Sequence, residues 1–282
     1  MPNDAPNVGS SSARRTVTLA EVESFRKHGA VCLRQLFTPT EVALLKEGID
    51  ANLAQPSPRA KVASRGDDPG LFIEDFCNWQ SNQHYRRFIF GTALGQAAGE
   101  LMNSSSARLY HDHMLTKEAS TRQRTPWHQD QPYYNVEGRQ NCSFWIPVDP
   151  VSRAASLELV AGSHLGPWLM PRSFMDAQAK WFPEGSLANL PDIDQHREAY
   201  RILSWELEPG DAVCSHAHIA RLAGDGAQSP ASSLFRPFPG RRHQTRAAPL
   251  ADLTGFPRAR SAVARRRADR PSIVSHGLAR LS

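Results

Sequence analysis

The feature that most constrains the fold is a change of pattern near Arg108. Before this point the sequence contains helix signals, and after it short β-type runs alternate with turn residues. The runs read RLYHDHML, NCSFWIPV, SLELVAGS and GDAVCSHAH, and the turn signals between them are Glu137-Gly138, Asp149-Pro150, Gly162-Ser163 and Pro209-Gly210. Helices followed by many short strands predict an α+β protein whose core is a β-sandwich or barrel.

The helix signals lie in the first third of the chain. A capping-box pattern at residues 18–21 (TLAE) opens a helix that ends near Gly29, and a second at residues 38–41 (TPTE) opens another. A strand is expected over 31–36 and a further helical stretch over 82–102. The remaining segments are Ser/Asn/Pro-rich residues 1–15, expected to be disordered, a loop over 55–70, and an insertion of helix and loop over about 165–205.

The net charge of +5 is distributed unevenly along the chain. Residues 217–282 contain 12 Arg, 3 Asp, no Lys and no Glu, which gives +9 and leaves −4 for the first 216 residues. A mildly acidic body is therefore joined to a strongly basic tail. The basic pI does not indicate an anionic substrate, because the excess positive charge lies in that tail.

Composition also bears on the cellular setting. Hydrophobic residues make up 40% of the chain, as in ordinary globular proteins, and no apolar run approaches the ~20 residues of a membrane span. The cysteines are far apart and include no C-x-x-C pair; they are Cys32, Cys77, Cys142 and Cys214. The N-terminal charges are followed by no apolar segment. Together these features favour free thiols in the cytoplasm and no membrane partner.

Residues 125–135 read TPWHQDQPYYN and contain the most distinctive polar pattern of the chain. Residues i and i+2 of a β-strand point to the same face, so His128 and Asp130 are expected side by side. One imidazole and one carboxylate supply two ligands of the 2-His-1-carboxylate triad of non-haem Fe(II) oxygenases. An H-x-D pair alone is weak support, because a solvent-exposed strand gives the same pattern.

Other polar and aromatic side chains near this stretch have two interpretations each. His111 and His113 share a strand face, and a lining or structural role is favoured over metal binding. Tyr133 and Tyr134 either border the mouth of a substrate site or pack at a barrel rim. His164 follows a turn, and a structural role is at least as well supported as a substrate contact.

Several segments resemble the phytanoyl-CoA dioxygenase family of Fe(II)- and 2-oxoglutarate-dependent oxygenases, especially its bacterial members. They are FIEDFCNWQ, HDHMLTKE, TPWHQDQPYY, RQNCSFWIPVDP, LELVAGSHLGPW, KWFPEG and LEPGDAV, and the resemblance spans roughly residues 20–215. It implies a double-stranded β-helix (jelly-roll) core with flanking N-terminal helices.

The resemblance also implies a chemistry and a set of site residues. His128 and Asp130 match the family's first two iron ligands, and Met114 and Trp145 match positions that line its 2-oxoglutarate site. The expected reaction is hydroxylation of a small organic molecule with dioxygen, in which 2-oxoglutarate becomes succinate and carbon dioxide. Asp130 argues against a halogenating relative, since those enzymes lack the carboxylate.

The resemblance stops shortly after residues 210–213 (GDAV). Beyond this strand the family places its second iron-ligating histidine and then an arginine for the distal carboxylate of 2-oxoglutarate. Here the ligand position falls at about Ala220 or Arg221, and the nearby histidines, His216 and His218, are out of register. Both are candidate third ligands.

The tail from residue 216 has the composition of G+C-rich DNA translated out of frame, because arginine, alanine, proline and serine dominate it. For a permitted choice of codons, the frame one nucleotide later begins MHTLH at residue 216 and continues with an Arg-rich run, RFLGDD and DGAP. These are family landmarks in their usual order. We therefore hypothesise a single-nucleotide frameshift near codon 215. It divides the chain into residues 1–15, an incomplete oxygenase domain over 16–215, and a tail over 216–282 without a native fold.

Three functions are then in competition. The leading one is an oxygenase with little or no turnover in this chain, because the third ligand and the arginine are missing. The second is a non-catalytic jelly-roll binding protein, which the presence of both His128 and Asp130 disfavours. The third is nucleic-acid binding by the Arg-rich tail, which the absence of lysine and of any recognition motif disfavours.

Overall fold

The computed structural model describes residues 15–64, 70–118, 124–134, 138–173, 177–216, 219–222, 231–233 and 236–238. Within these residues the helices are α1 (Leu19–His28), α2 (Pro39–Ala54), α3 (Gln83–Gly91) and α4 (Leu94–Met102). The strands are β1 (Ala30–Leu33), β2 (Lys61–Val62), β3 (Phe72–Phe76), β4 (Arg108–His111), β5 (His113–Lys117), β6 (His128–Gln129), β7 (Ser143–Trp145), β8 (Leu157–Val160), β9 (Ile202–Leu203), β10 (Ala212–Ser215), β11 (Ile219–Leu222), β12 (Ala231–Ser233) and β13 (Arg236–Phe238). None of the described helices is long and apolar enough to cross a membrane. The disorder predicted for residues 1–15 falls, apart from Arg15, outside the described residues.

Both predicted capping boxes are present, at the starts of α1 and α2. In each, a threonine hydroxyl accepts a bond from the backbone N–H of the glutamate three residues on, and the glutamate carboxylate accepts one from the threonine N–H. α1 ends at Gly29, whose φ of 74° is the left-handed conformation that glycine adopts at little cost. α1 packs beside β1, and α2 packs beside α3.

The predicted helix over 82–102 is two helices separated at Thr92. This residue is extended, with φ −104° and ψ −174°, which suits a β-branched side chain. Its N–H still bonds to the carbonyl of Phe88 and closes α3, and its hydroxyl accepts a bond from the N–H of Leu94 in α4. The hydrophobic pattern missed the break because apolar residues continue across it.

The strands form antiparallel sheets with many crossovers. One sheet has the order β1-β10-β7, and a second has the order β6-β11-β8-β9. Two further groups are β12-β5-β3-β2 and β13-β4. Strands adjacent in a sheet are mostly distant in sequence, as in jelly rolls.

One face of the sheet β1-β10-β7 contacts the helices. Val31, Cys214 and Phe144 are neighbours across its three strands and point to the same side. They belong to the larger apolar core, which includes Leu45 of α2 and Phe88 of α3.

The opposite face of the same sheet borders a second core. Cys32, Val213 and Trp145 are neighbours across the strands and alternate with the helix-facing residues. They pack with Leu159 of β8 and Ala220 of β11, which belong to the second sheet. We call this smaller core the barrel interior.

The insertion predicted over about 165–205 has no α-helix in its described residues, 165–173 and 177–205. The helix expected there is wrong, because four prolines between residues 167 and 191 deny the chain a helix interior. Side chains order the segment instead. Arg172 donates to Glu184, to Asn189 and to the carbonyl of Ala177.

Three short strands lie beyond Ser215, in the segment for which the sequence predicted no native fold. β11 pairs with both β6 and β8, β12 pairs with β5, and β13 pairs with β4. They cover edges of β6, β5 and β4 that are otherwise open. The greater part of the tail lies outside the described residues, so the frameshift hypothesis remains a prediction.

Candidate metal centre

His128 and Asp130 converge at the end of β6. The distance from His128 Nε2 to Asp130 Oδ1 is 3.3 Å, and the two side chains are 18% and 13% exposed. Strand alternation does not account for this, because β6 ends at Gln129 and Asp130 has helical φ and ψ of −65° and −42°. The chain turns at Asp130 into a 3-10 helix (Gln131–Tyr133), and the turn directs the carboxylate toward the imidazole.

The hydrogen bonding of His128 leaves Nε2, rather than Nδ1, facing Asp130. Nδ1 lies 2.8 Å from the carbonyl oxygen of Pro126, and since a carbonyl only accepts, Nδ1 carries the proton. Nε2 then faces the carboxylate of Asp130. An imidazole nitrogen and a carboxylate oxygen at this separation can bind one cation together. Metal-ligating histidines are commonly oriented by such a bond on the far nitrogen.

His128 points into the barrel interior. Across the second sheet, His128 is paired with Ala220, Ala220 with Leu159, and Leu159 with Leu203. Directly paired residues point to the same side of a sheet. Leu159 and Ala220 belong to the barrel interior, so His128 does too, and its cross-strand partner is an alanine that is 7% exposed.

The described residues do not complete a three-ligand site. Among them, no group of three His, Cys, Asp or Glu side chains is placed to hold a metal ion. His216, one predicted third ligand, donates from Nδ1 to the carbonyl of Asn141 at 2.7 Å. His218, the other, lies outside the described residues. His128 and Asp130 thus fit a cation as a pair, and the structure supplies no third protein ligand for it in the part of the chain it describes.

A polar cavity of about 220 Å³ lies beside the outer face of β6. Its lining includes Gln129, Gln131, Arg139, His164, Trp168 and His216. Burial lowers the pKa of His216 to about 4, and the charges of His164 and Arg139 act in the same direction, whereas the bond to Asn141 opposes them. Burial also lowers the pKa of His164. Both rings are therefore neutral at pH 7, and the sequence did not predict this cavity.

The two residues predicted to line a 2-oxoglutarate site lie in different layers. Trp145, on β7, is 6% exposed and belongs to the barrel interior with Ala220. Met114, on β5, is fully buried in the larger apolar core. Its cross-strand neighbour Asp75 accepts a hydrogen bond from Asn52 of α2. Trp145 therefore lies in the barrel interior, the core that His128 faces, whereas Met114 lies in the larger apolar core.

Tyr133 links the site to the insertion. Its ring meets the ring of His128 edge-on, with 6.0 Å between centroids. Its hydroxyl donates to the carbonyl of Arg172 at 2.5 Å and accepts from the N–H of the same residue at 2.9 Å. Burial raises the pKa of Tyr133 to about 12, so the hydroxyl stays protonated as a donor. An edge contact with Trp181 adds to the link.

His111, His113 and Tyr134 form an aromatic group around Phe76. Phe76 stacks on His113 with 4.0 Å between centroids and lies 6.5 Å from the ring of His111, which in turn lies 5.9 Å from Tyr134. His113 Nε2 is 3.3 Å from a carboxylate oxygen of Glu74. Burial opposes ionisation of Glu74, but the bond and charge of His113 lower its pKa overall. These contacts give the two histidines lining and packing roles.

On the outer face of β11, Arg221 forms an ion network that the sequence did not predict. Its Nε lies 2.6 Å from Glu158, its Nη1 lies 2.7 Å from Asp194, and its guanidinium stacks 4.6 Å from the ring centroid of Trp127. Arg197 pairs with both carboxylates as well. Burial acts to raise the pKa of Glu158, but its bonds to the two arginines lower it overall. The network fastens the insertion to the sheet that contains β6.

The fold and the family match define a class of protein, the double-stranded β-helix oxygenases that use Fe(II) and 2-oxoglutarate. The chain belongs to the phytanoyl-CoA dioxygenase family, whose sequence profile matches residues 25–224. The match includes β11 and leaves residues 225–282 outside. The predicted family, fold class, enzyme class and cofactors are thereby confirmed. The chain has no match among curated protein sequences.

Several solved structures share this fold. The non-haem α-ketoglutarate-dependent carbocyclase SnoK, from nogalamycin biosynthesis, has a TM-score of 0.66 at 16% identity over 82% of this chain and 87% of its own. The epimerase SnoN, in complex with Fe3+, α-ketoglutarate and nogalamycin RO, has a TM-score of 0.66 at 17% identity over 90% and 94%. EctD from S. alaskensis, with 2-oxoglutarate and 5-hydroxyectoine, has a TM-score of 0.59 at 17% identity over 84% and 82%. At these identities the likeness concerns the fold.

Proposed function

We propose that the domain hydroxylates a small organic molecule in the cytoplasm, with His128 and Asp130 as ligands of Fe(II). The observation that supports this is the convergence of Nε2 and Oδ1 at 3.3 Å in the barrel of this family, with the imidazole oriented by Pro126. When bound, Fe(II) with 2-oxoglutarate supplies the oxidising power to functionalise an unreactive C–H bond. The carboxylate of Asp130 favours hydroxylation over halogenation. We assign no membrane or nucleic-acid partner.

The other residues of the site position ligands and exclude water. Pro126 fixes the ring of His128, and the apolar side chains of Trp145 and Leu159 form a wall of the barrel interior. Tyr133 holds the insertion against the rim through its two bonds to Arg172. Trp145 is the better placed of the two predicted 2-oxoglutarate residues, because Met114 lies in the other core.

We expect this chain to bind the metal weakly and to turn over little or not at all. The described residues offer two of the three protein ligands of a facial triad, and each missing ligand lowers affinity. The family's arginine for 2-oxoglutarate has no counterpart in the register of the tail. Stoichiometric Fe(II) binding with rapid 2-oxoglutarate-dependent succinate release by the purified chain contradicts this expectation.

The ligand assignment is tested by anaerobic Co(II) titration, read by visible absorption and calorimetry. His128→Ala and Asp130→Ala should each lower Co(II) affinity by about 10-fold or more, since even partners that only orient a ligand change affinity by about 10–100-fold. Gln129→Ala is the matched control, because Gln129 lies between them and bonds on the outer face to Pro167 and Leu169. Equal affinities in all four proteins refute the assignment.

A further inference from the structure

Ala220 is the direct cross-strand partner of His128. β6 and β11 run antiparallel with Ala220 opposite His128 and Ile219 opposite Gln129. Side chains directly opposite each other share a face and have Cβ atoms about 4.5–5.5 Å apart. Two histidines in this arrangement can reach a single ion from adjacent strands. Position 220 is therefore within reach of any ion that His128 binds.

The neighbours of Ala220 on β11 are engaged elsewhere. Ile219 packs on the outer face with Val160 and Ile193. Arg221 is held on that same face by Glu158 and Asp194. Among the described side chains of β11, Ala220 is the one that faces His128.

We propose that Ala220 occupies the third-ligand position of the metal centre, and that a histidine at this position converts a two-ligand site into a complete one. The inference rests on the proposed function, because it takes His128 and Asp130 as the other two ligands. A methyl group donates no electron pair, whereas a facial triad needs a second imidazole. The sequence predicted the position only as Ala220 or Arg221, and the strand register selects Ala220.

The hypothesised frameshift is compatible with this position: for the codon choice that yields MHTLH from residue 216, the second histidine of that string falls at position 220.

The test compares Co(II) binding by the full-length protein and four variants: Ala220→His, Ala220→Cys, His128→Ala/Ala220→His and Ala155→His. Ala155 packs against the same core but is not paired with His128, so Ala155→His is a control for the chemical change alone. Ala220→Cys introduces a smaller ligand in case the imidazole strains the packing, and a bound thiolate gives its own charge-transfer absorption. Thermal shifts with and without Co(II) show that each variant folds.

We expect Ala220→His to bind Co(II) about tenfold or more tightly than the unmodified chain, with a changed visible spectrum, and Ala220→Cys to show the thiolate band. The double variant should lose the gain, and Ala155→His should show none. If both Ala220→His and Ala220→Cys fold but bind Co(II) no more tightly than the unmodified chain, the inference is overturned. This holds even if Co(II) binding by the unmodified chain requires His128. If the His128→Ala variant binds Co(II) as tightly as the unmodified chain, the proposed function itself fails.

Resequencing the coding DNA across codons 205 to 282 tests the origin of Ala220. A neighbouring frame that encodes T-L-H, with the histidine at position 220, supports the inference and the frameshift together. A confirmed present frame with stop codons in the alternative refutes the frameshift.

Discussion

The two faces of β11 differ in how completely they are used. On the outer face, Arg221 engages two carboxylates and the ring of Trp127. On the inner face, the adjacent residue Ala220 presents a methyl group to His128. Backbone hydrogen bonds can pair two strands almost whatever their side chains are, whereas a metal site depends on the identity of each ligand residue. A strand can therefore complete a sheet without supplying a metal ligand.

The largest predicted effect outside the barrel interior is a pH dependence of stability caused by His216. This residue lines the cavity beside the outer face of β6. Its pKa falls from 6.5 to about 4 on folding because the ring is buried. Between these pH values the unfolded chain binds a proton that the folded chain does not. The stabilising contribution of neutral His216 is therefore fully present above pH 6.5 and is lost as the pH falls toward 4. The loss from this group is about 3 kcal/mol.

Denaturant unfolding of the intact protein and of His216→Asn, at several pH values from 7 to 4, measures this loss. Asparagine retains a donor for the carbonyl of Asn141 but does not titrate, so the slope of stability with pH should become shallower. The lowered pKa of His164 contributes a slope of the same sign in both proteins. Equal slopes in the two proteins contradict the account.

Arg221→Ala should have the next largest effect, on stability rather than on metal binding. It removes a buried cation with two charged hydrogen bonds, and Glu158 keeps Arg197 as a partner, so we expect a loss of about 2 kcal/mol. Chemical denaturation provides the measurement. Arg197→Ala is the matched control, since that side chain is 43% exposed and should cost less than about 1 kcal/mol. If Arg221→Ala also lowers the Co(II) affinity, the outer face of β11 affects metal binding as well as stability, which contradicts the comparison.

Tyr133→Phe should have the smallest effect. It deletes a hydroxyl that bonds twice to the backbone of Arg172 but keeps the ring beside His128. We expect a loss of about 1 kcal/mol and faster limited proteolysis within the insertion, with unchanged Co(II) affinity. Proteolysis at the original rate shows that the insertion is held by other contacts.

Local sequence patterns predicted the fold where a local interaction determines it. The capping boxes at Thr18 and Thr38 form as expected, because each involves residues only three positions apart. The break at Thr92 was missed, since the apolar pattern runs through it. The Arg221–Glu158 pair was missed because its residues are 63 positions apart and meet only through the pairing of β8 with β11.

For the candidate metal centre, the sequence predicted that His128 and Asp130 lie together, but not the geometry that brings them together. A turn, rather than a continuous strand, directs Asp130 to the imidazole. Met114 and Trp145 both matched family positions, yet Met114 packs in the larger apolar core and Trp145 in the barrel interior. The core that each residue joins depends on which distant segments pair, and local sequence patterns do not reveal this.

The most direct test of the account counts the imidazole ligands of the bound metal. X-ray absorption spectra of the Co(II)-loaded protein distinguish one histidine from two through multiple scattering by the ring atoms. We predict one imidazole per Co(II) in the unmodified chain and two in Ala220→His. Two imidazoles in the unmodified chain contradict the account, because His216, His218 or another histidine then completes the site without position 220.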